Sequence, residues 1–269
     1  MIAEKYRIGR MEKHAAMISC LMVTQASRLP LAALAIGDFA RQTHAERELV
    51  ILHDGGDATD AALRNAADAH ADPRIRVIAV PAGTTLGALR NRAVREAAGS
   101  HVCQWDDDDR YHPARLRLQW QALIAQKAEF CFLVDQLHYF PAAHEMYWDD
   151  WDSESYPLNL IQGSLLGRRD LLPTYPELAR GEDTGAVREL LRRGHPIARL
   201  RGAGWCYVYV YHGGNVWPAA RHEAISQSKR YGAARLMRGE ETLRQRLSEY
   251  APGFAPLRMP HEGGALRLD

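Results

Sequence analysis

Apolar runs and helical stretches alternate along the first two-fifths of the chain. The strand-like runs lie at residues 18–24, 48–53, 75–80 and 102–105. Each is followed by a segment with helical apolar spacing or many alanines, at 31–41, 58–71, 86–98 and 113–127. The apolar runs lack polar alternation, which is typical of parallel strands covered on both faces. This order predicts βαβ units and an α/β fold, in which helices flank a mostly parallel sheet.

The second half of the chain is less regular. After an apolar run at 130–134, residues 139–180 are irregular, with one strand-like piece at 159–166. A helical segment at 184–193 and strand-like pieces at 197–200 and 205–211 follow, and 219–250 is charged and amphipathic. No repeat or linker separates independent domains. We expect an N-terminal extension at 1–16, one domain at 17–217 and a C-terminal helical extension at 218–269.

Composition narrows the class of protein. Of the 269 residues, 46% are hydrophobic and 25% charged, as in ordinary globular proteins. The net charge of +1 argues against nucleic-acid binding through bulk positive charge. Four widely separated cysteines without a CxxC pair favour a reducing compartment over disulfides or zinc. No apolar run reaches the roughly 20 residues of a membrane span, and residues 1–17 lack the apolar centre of a secretory signal. We therefore expect a cytoplasmic protein.

Four consecutive acids, at 106–109, directly follow the fourth strand-like run. In open α/β sheets, ligands bind beyond the carboxyl ends of the strands. Carboxylates this close repel one another unless a cation or solvent compensates them. The cluster therefore has two interpretations: a metal site that holds a phosphorylated ligand, or an acidic loop that caps the next helix.

Five short motifs stand in a fixed order between residues 18 and 217. They are Thr24, Asp54-Gly55, Gly87-Ala-Leu-Arg90-Asn91, the acids 106–109, and Glu182-Asp183. In this order the chain resembles the family 2 glycosyltransferases. The resemblance implies a Rossmann-like, A-type glycosyltransferase fold that binds a nucleotide-sugar. It also implies a nucleotide-binding half at about 17–110 and an acceptor-binding half at about 111–217.

Three motifs are expected to contact the nucleotide. Asp54 follows a strand and precedes two glycines, so its carboxylate either accepts a hydrogen bond from the base, as the resemblance implies, or stabilises its own turn. Thr24 resembles the nucleotide-contacting residue of the family, and Arg28 lies near it or is a solvated charge. Arg90 would pair with phosphates or brace the acids; the alternative is a surface arginine.

The resemblance also implies a divalent cation, Mn²⁺ or Mg²⁺, at the acid cluster. It places Asp106 on the ribose side and Asp108 on the metal, with Asp107 or Asp109 supporting. Such hard cations prefer carboxylate and phosphate oxygens, and they neutralise a departing nucleoside diphosphate. The resemblance also implies a metal ligand or phosphate contact at a C-terminal histidine. We assign this role to His212, because it ends a strand beside two glycines that allow close approach to a ligand; the alternative is a structural histidine.

Catalysis is assigned to Asp183, with Glu182 second. Inverting sugar transfer needs a base that deprotonates the acceptor hydroxyl, and the resemblance points to this pair. An N-terminal helix cap is the alternative. Gln162 and Gly163 resemble a small-residue stretch that lines the donor sugar pocket.

The aromatic segment at 147–156 is the candidate acceptor site. Trp151, together with Tyr147, Trp148 and Tyr156, would stack on sugar faces or simply fill a packed loop. The acceptor itself stays open among a carbohydrate, a lipid-linked compound and a protein. Basic residues interspersed with acids after residue 230 leave a homodimer and peripheral contact with the inner face of a membrane open.

The sequence favours a glycosyltransferase over two alternative functions. A sugar-phosphate nucleotidyltransferase generally carries a glycine-rich loop after the first strand, where this chain reads Thr24-Gln-Ala-Ser-Arg28. A non-catalytic nucleotide-sugar binding protein would not need the intact acids. The donor is expected to be UDP-linked, although Gln25-Ala26 replaces the usual aromatic or Asn and leaves the base open.

Overall fold

The computed structural model describes residues 16–155 and 159–268. The strands of this part are β1 (Ile18–Thr24), β2 (Arg47–His53), β3 (Ile75–Ala79), β4 (His101–Gln104), β5 (Arg110–Tyr111), β6 (Phe130–Leu133), β7 (Asp135–Phe140), β8 (Glu145–Asp150), β9 (Leu166–Arg168), β10 (Ile197–Leu200), β11 (Tyr207–Val210), β12 (Leu257–His261) and β13 (Gly264–Leu268). The helices are α1 (Leu29–Ala40), α2 (Gly56–Asp68), α3 (Leu86–Glu96), α4 (Arg115–Gln126), α5 (Glu182–Arg192), α6 (Ala219–Lys229) and α7 (Ala233–Ser248). Tyr156 and most of the predicted N-terminal extension lie outside the described residues.

The first sheet has seven strands in the order β10-β6-β9-β4-β1-β2-β3. Strand β9 is antiparallel to both of its neighbours, whereas the other pairs are parallel. All seven residues of β2 are buried, which explains why its sequence shows no polar alternation. The prediction of a mostly parallel α/β sheet with flanking helices is confirmed.

The register of the parallel strands brings the predicted motifs to one edge of this sheet. Thr24, the last residue of β1, pairs with His53 at the end of β2, and Asp54 follows directly. Gln104 at the end of β4 pairs with Leu21 of β1. Because the carboxyl ends of parallel strands share an edge, Thr24, Asp54 and the acids after β4 all lie there.

The second sheet has the order β13-β12-β8-β7-β11-β5. Its β7–β8 hairpin lies within the segment that the sequence predicts to be irregular. These strands have no continuous apolar run, because some of their buried positions are polar. His138 and Asp149, for example, are buried as a hydrogen-bonded pair, 3.2 Å apart. The predicted strand at 159–166 is wrong for most of its length: Gln162–Ser164 form a 3₁₀ turn, and β9 begins only at Leu166.

The C-terminal segment is helical up to Ser248 and then forms the β12–β13 hairpin, which the sequence did not predict. A buried ion pair between α1 and β5 connects the segment after Ser248 to the rest of the fold. Asp38 of α1 is fully buried and accepts hydrogen bonds from Arg110 Nε (2.7 Å) and the Tyr111 backbone N–H (2.8 Å). Arg110 also donates to the carbonyl oxygens of Ala251 and Pro252.

Two further features relate to the predictions of a reducing compartment and of no membrane-spanning segment. All four cysteines are buried and free. Within the described residues, none of the helices combines the length and the apolar character needed to cross a bilayer.

Candidate active site

The loop between β4 and β5 holds the four acids, and each carboxylate has different partners. Asp106 accepts from Gln104 Nε2 (2.9 Å) and Arg90 Nη2 (2.9 Å). Asp107 and Asp108 both contact Arg28 Nη1, at 3.0 and 2.9 Å. The acids thus lie among arginines from α3 and from the turn before α1, and they do not cap α4, which begins at Arg115.

Asp109 joins the acid loop to the second sheet. Its carboxyl group is buried and contacts the Tyr207 hydroxyl (2.5 Å) and the Val210 backbone N–H (3.1 Å). Burial, followed by the charges of Asp108 and Asp106, raises the pKa of Asp109 well above its usual range. The neutral form of Asp109 is therefore favoured, and its role here is to hold β11 against the acid loop.

The electrostatics of the two middle acids differ. Burial, together with the charge of Asp108, raises the pKa of Asp107 to about 6. Burial also disfavours the charge of Asp108, but the hydrogen bond from His212 and the charge of Arg28 outweigh it and lower the pKa of Asp108. Asp108 is therefore the acid of this pair that stays ionised most readily.

His212 meets the acid cluster from the loop after β11. Its Nε2 lies 3.1 Å from Asp108 Oδ2, and the Gly214 backbone N–H donates to its Nδ1 at 3.3 Å. Because Nδ1 accepts that bond, the proton is assigned to Nε2, which donates to Asp108. Nε2 would ligate a metal only after this proton had moved to Nδ1 and the contact with the Gly214 N–H had opened. The structure therefore brings together the two residues that the resemblance assigns to the metal.

Asp108 and His212 fit a cation site that a bound ligand completes. Within residues 16–155 and 159–268, no group of three His, Cys, Asp or Glu side chains could hold a metal ion without other ligands. One carboxylate and one imidazole nevertheless suit Mn²⁺. Sites for Mg²⁺ commonly combine one or two carboxylates with water and the phosphates of the substrate. The donor set is consistent with a metal held jointly with a diphosphate.

Arg90 links the acid cluster to the predicted catalytic pair. Its Nη2 donates to Asp106, and its Nε donates to Glu182 Oε1 at 2.7 Å. Both Arg90 and Glu182 are buried, although α3 and the start of α5 are far apart in sequence. Arg90 is thus a bridge between the acid loop and the start of α5.

The other residues of the Arg90 motif explain how α5 reaches this position. The Asn91 side chain forms a reciprocal pair with the Tyr175 backbone, with both hydrogen bonds at 2.8 Å. A Cβ on Gly87 would lie 1.8 Å from the Pro176 carbonyl oxygen, so only glycine allows this approach. The motif therefore docks the segment that leads into α5. Tyr175 was not predicted. Its contact with Asn91 is made through the backbone, and its ring, 5.9 Å from the Arg90 guanidinium, comes from a segment that no local pattern pairs with α3.

Asp183, the second residue of α5, is half-buried. Its Oδ1 accepts from the Thr184 backbone N–H (2.6 Å), and the Thr184 hydroxyl donates to Gln162 Oε1 (2.8 Å). Next to Gln162, a Cβ on Gly163 would lie 2.7 Å from the Tyr207 hydroxyl and 3.2 Å from Asp106 Oδ2. The structure thus places Gln162 and Gly163 between the acid cluster and Asp183.

Thr24 lies deeper at the same edge. Its Oγ1 and Asp107 Oδ2 are buried, and among the described residues neither makes a hydrogen bond of ordinary geometry, although the Thr24 hydroxyl lies close enough to Asp107 to act against the rise in the pKa of that carboxyl. Buried polar atoms are normally paired, so these two are candidates for contacts with a ligand. Asp54 instead accepts from the Gly83 backbone N–H at 3.0 Å, and this bond holds the loop after β3 next to the loop after β2.

The contacts of Trp151 lie away from the acids. Its backbone N–H donates to the Val134 carbonyl (2.9 Å), and Lys229 Nζ stands 5.5 Å from its ring centre. Trp148 stacks on Tyr231, with ring centroids 5.1 Å apart. The aromatic segment therefore packs against the α6–α7 region, and its assignment to the acceptor stays a prediction.

The sequence matches the family model described as glycosyl transferase family 2 over residues 28–162, half of the chain. The chain belongs to this family. It is 28% identical over 165 residues to "Putative colanic acid biosynthesis glycosyl transferase WcaA" of Escherichia coli (strain K12), a match that covers 61% of this chain and 50% of that protein. The chain therefore spans about half the length of this curated relative.

Two solved structures show the same fold. One is S. aureus TarS 1-349 in complex with UDP-GlcNAc, with a TM-score of 0.59, 16% identity, and coverage of 86% of this chain and 66% of that one. The other is the mannosyltransferase PcManGT from Pyrobaculum calidifontis in complex with GDP-Man and Mn²⁺, with a TM-score of 0.59, 16% identity, and coverage of 93% and 79%. The expectation of an A-type glycosyltransferase fold is confirmed.

Proposed function

We propose that this chain transfers a sugar from a nucleotide-sugar, UDP-linked in the first instance, to an acceptor hydroxyl with inversion at the anomeric carbon. The observation that carries the proposal is the Arg90 bridge. It holds Asp106, on the predicted donor side, and Glu182, beside the predicted base, at one sheet edge. Membership of glycosyl transferase family 2 favours sugar transfer over nucleotidyl transfer.

The division of labour between Glu182 and Asp183 follows from their surroundings. Glu182 is 2% exposed and paired with Arg90, so it is a positioning residue. Asp183 is half-buried, and among the described residues only its Oδ1 accepts hydrogen bonds. Asp183 is therefore the base that takes the proton of the acceptor hydroxyl. The acceptor oxygen then bonds to the anomeric carbon while the bond to the nucleoside diphosphate breaks.

Charge on the departing diphosphate is met by residues of the acid loop and its neighbours. Arg28 and Arg90 supply guanidinium groups that suit phosphate oxygens. Asp108 and His212 would hold Mn²⁺ or Mg²⁺, which supplies neutralisation of the leaving group when bound. We place Asp106 on the ribose, with Thr24 and Asp54 toward the base. The acceptor is proposed to be a growing polysaccharide, by analogy with the relative's name.

The test combines binding with turnover. Calorimetric titration of UDP, GDP and CDP, with and without Mn²⁺, should show metal-dependent binding of one nucleotide, and Asp108→Ala should lose it. Asp183→Asn should keep nucleotide binding but lose sugar transfer. Asp170→Asn is the matched control, because Asp170 lies in an exposed turn at 60% side-chain exposure. The proposal is overturned if no nucleotide binds in either metal state, and release of pyrophosphate would identify a nucleotidyltransferase instead.

A further inference from the structure

The Arg28 side chain contacts the acid cluster at 106–109. It is the last residue of a single 3₁₀ turn, Ala26–Arg28, between β1 and α1. Its Nη1 atom lies 3.0 Å from Asp107 Oδ1 and 2.9 Å from Asp108 Oδ2. The Arg28 side chain is 23% exposed, whereas that of Asp107 is 2% exposed. The guanidinium thus lies on the solvent side of Asp107 and Asp108.

The contacts of Asp108 converge on one atom. Arg28 Nη1 and His212 Nε2 both contact Asp108 Oδ2, at 2.9 and 3.1 Å. Metal ligands must be free of protons and of competing cations before an ion coordinates them. An ion held by Asp108 through Oδ2 therefore competes directly with Arg28 for that oxygen.

The local charge leaves room for a further cation. Asp109 is engaged with Tyr207 and Val210, so four carboxylates contact Arg28 or Arg90, those of Asp106, Asp107, Asp108 and Glu182. Two guanidinium groups, of Arg28 and Arg90, face them. The cluster is thus under-compensated by two charges, and Arg28, together with His212, already contacts Oδ2 of the acid that is the candidate metal ligand.

We propose that Arg28 is the resident counter-ion of Asp107 and Asp108 and makes divalent-cation binding depend on bound nucleotide. This rests on the proposed function, which supplies the diphosphate. Phosphate oxygens give the guanidinium a charged alternative partner, so a bound diphosphate draws Arg28 off Asp108 and removes the competing positive charge from that carboxylate. Metal and nucleotide then bind cooperatively, and the coupling is reciprocal.

The first experiment measures Mn²⁺ alone, with no nucleotide, through the electron paramagnetic resonance signal of free Mn²⁺. The full chain is compared with Arg28→Gln and with the control Arg192→Gln. Arg192 carries the same charge on the far end of α5, at 74% exposure. We expect Arg28→Gln to bind Mn²⁺ about tenfold more tightly than the wild type and Arg192→Gln to match the wild type. An equal or weaker affinity in Arg28→Gln overturns the proposal.

Two further variants test whether the charge at position 28 causes the effect and whether the ion binds at Asp108. Arg28→Lys keeps the positive charge and should bind Mn²⁺ as weakly as the wild type; a gain equal to that of Arg28→Gln would show that charge is not the cause. Adding Asp108→Asn to Arg28→Gln should abolish the gained binding. If the gain persists without Asp108, the ion binds elsewhere and the proposal fails.

Repeating the titration with saturating UDP tests the dependence on nucleotide. The gain from Arg28→Gln should be larger without UDP than with it, because UDP already releases Asp108 in the wild type. An equal gain in Mn²⁺ affinity with and without UDP would show that the effect of Arg28 does not depend on nucleotide, and it would overturn the proposal. Binding of UDP, GDP and CDP to the wild type at saturating Mn²⁺ reports on the proposed function separately. A failure there leaves the comparison made with Mn²⁺ alone intact.

Discussion

Replacement of Arg90 by methionine should destabilise the protein strongly. Arg90 is 9% exposed and Glu182 is 2% exposed, and their side chains are 2.7 Å apart. Methionine keeps the apolar length of the arginine stem but removes its charge. The substitution therefore leaves the Glu182 carboxylate buried without its cation, while Asp106 keeps its hydrogen bonds from Gln104.

The magnitude follows from the burial of each partner. Removing one member of a buried ion pair costs about 3–5 kcal/mol. The contact with Asp106, whose side chain is 22% exposed, adds at most about 1 kcal/mol. We therefore expect Arg90→Met to lower the free energy of unfolding by about 3–5 kcal/mol. Arg90→Lys should lose about 2 kcal/mol, because a point charge cannot make both contacts of the planar guanidinium.

A double variant separates this cause from simple loss of packing. Glu182→Gln removes the unpaired charge, so Arg90→Met with Glu182→Gln should be more stable than the two single losses added together, by about 1–3 kcal/mol. Urea denaturation monitored by circular dichroism measures each free energy of unfolding. Arg92→Met is the control: Arg92 lies on the same helix at 49% exposure and should change stability by less than about 0.5 kcal/mol. Additivity within about 0.5 kcal/mol would refute the reasoning.

Three other changes have defined outcomes. Asp38→Ala should lower the free energy of unfolding by about 3–5 kcal/mol in urea denaturation, because it leaves Arg110 buried without its carboxylate. Gly163→Ala should lower it by about 1–3 kcal/mol and reduce transfer, because the new methyl meets the Tyr207 hydroxyl at 2.7 Å. Burial lowers the pKa of His222 to about 4. The unfolded chain therefore takes up this proton first as the pH falls below about 6.5, and the stability that neutral His222 contributes is lost between pH 6.5 and 4, by up to about 3 kcal/mol. His222→Gln should reduce the slope of this part of the pH profile of stability without removing it, because burial also lowers the pKa of His112 to about 4.

Matched variants show whether each effect is local. Glu240→Ala breaks a half-exposed surface ion pair with Arg244 and should cost less than about 1 kcal/mol, in contrast to Asp38→Ala. A Cβ on Gly239 in α7 meets nothing within 4 Å, so Gly239→Ala should stabilise the protein by about 0.5–1 kcal/mol. Equal effects of the two alanines at 163 and 239, or an unchanged pH profile in His222→Gln, would contradict these assignments.

The sequence by itself determined the first half of the fold and the order of the motifs. Buried parallel strands need continuous apolar runs, and that requirement is local, so β1 to β4 are visible in the sequence. The carboxyl ends of such strands must share an edge, and this rule alone predicts that Thr24, Asp54 and the acids lie together. The β7–β8 and β12–β13 hairpins were missed because their strands carry polar residues or a proline that only their partners accommodate.

Only the tertiary structure decided which partner each acid receives. Arg90 and Glu182 are 92 positions apart, and Tyr207 and Asp109 are 98 apart, so no local pattern pairs them. The burial that raises the pKa of Asp109 and the hydrogen bond from His212 that helps lower the pKa of Asp108 arise only when the second sheet packs against the acid loop. Four identical carboxylates in a row thus acquire different chemistry, because charge and burial depend on neighbours that the folded chain brings in from distant segments.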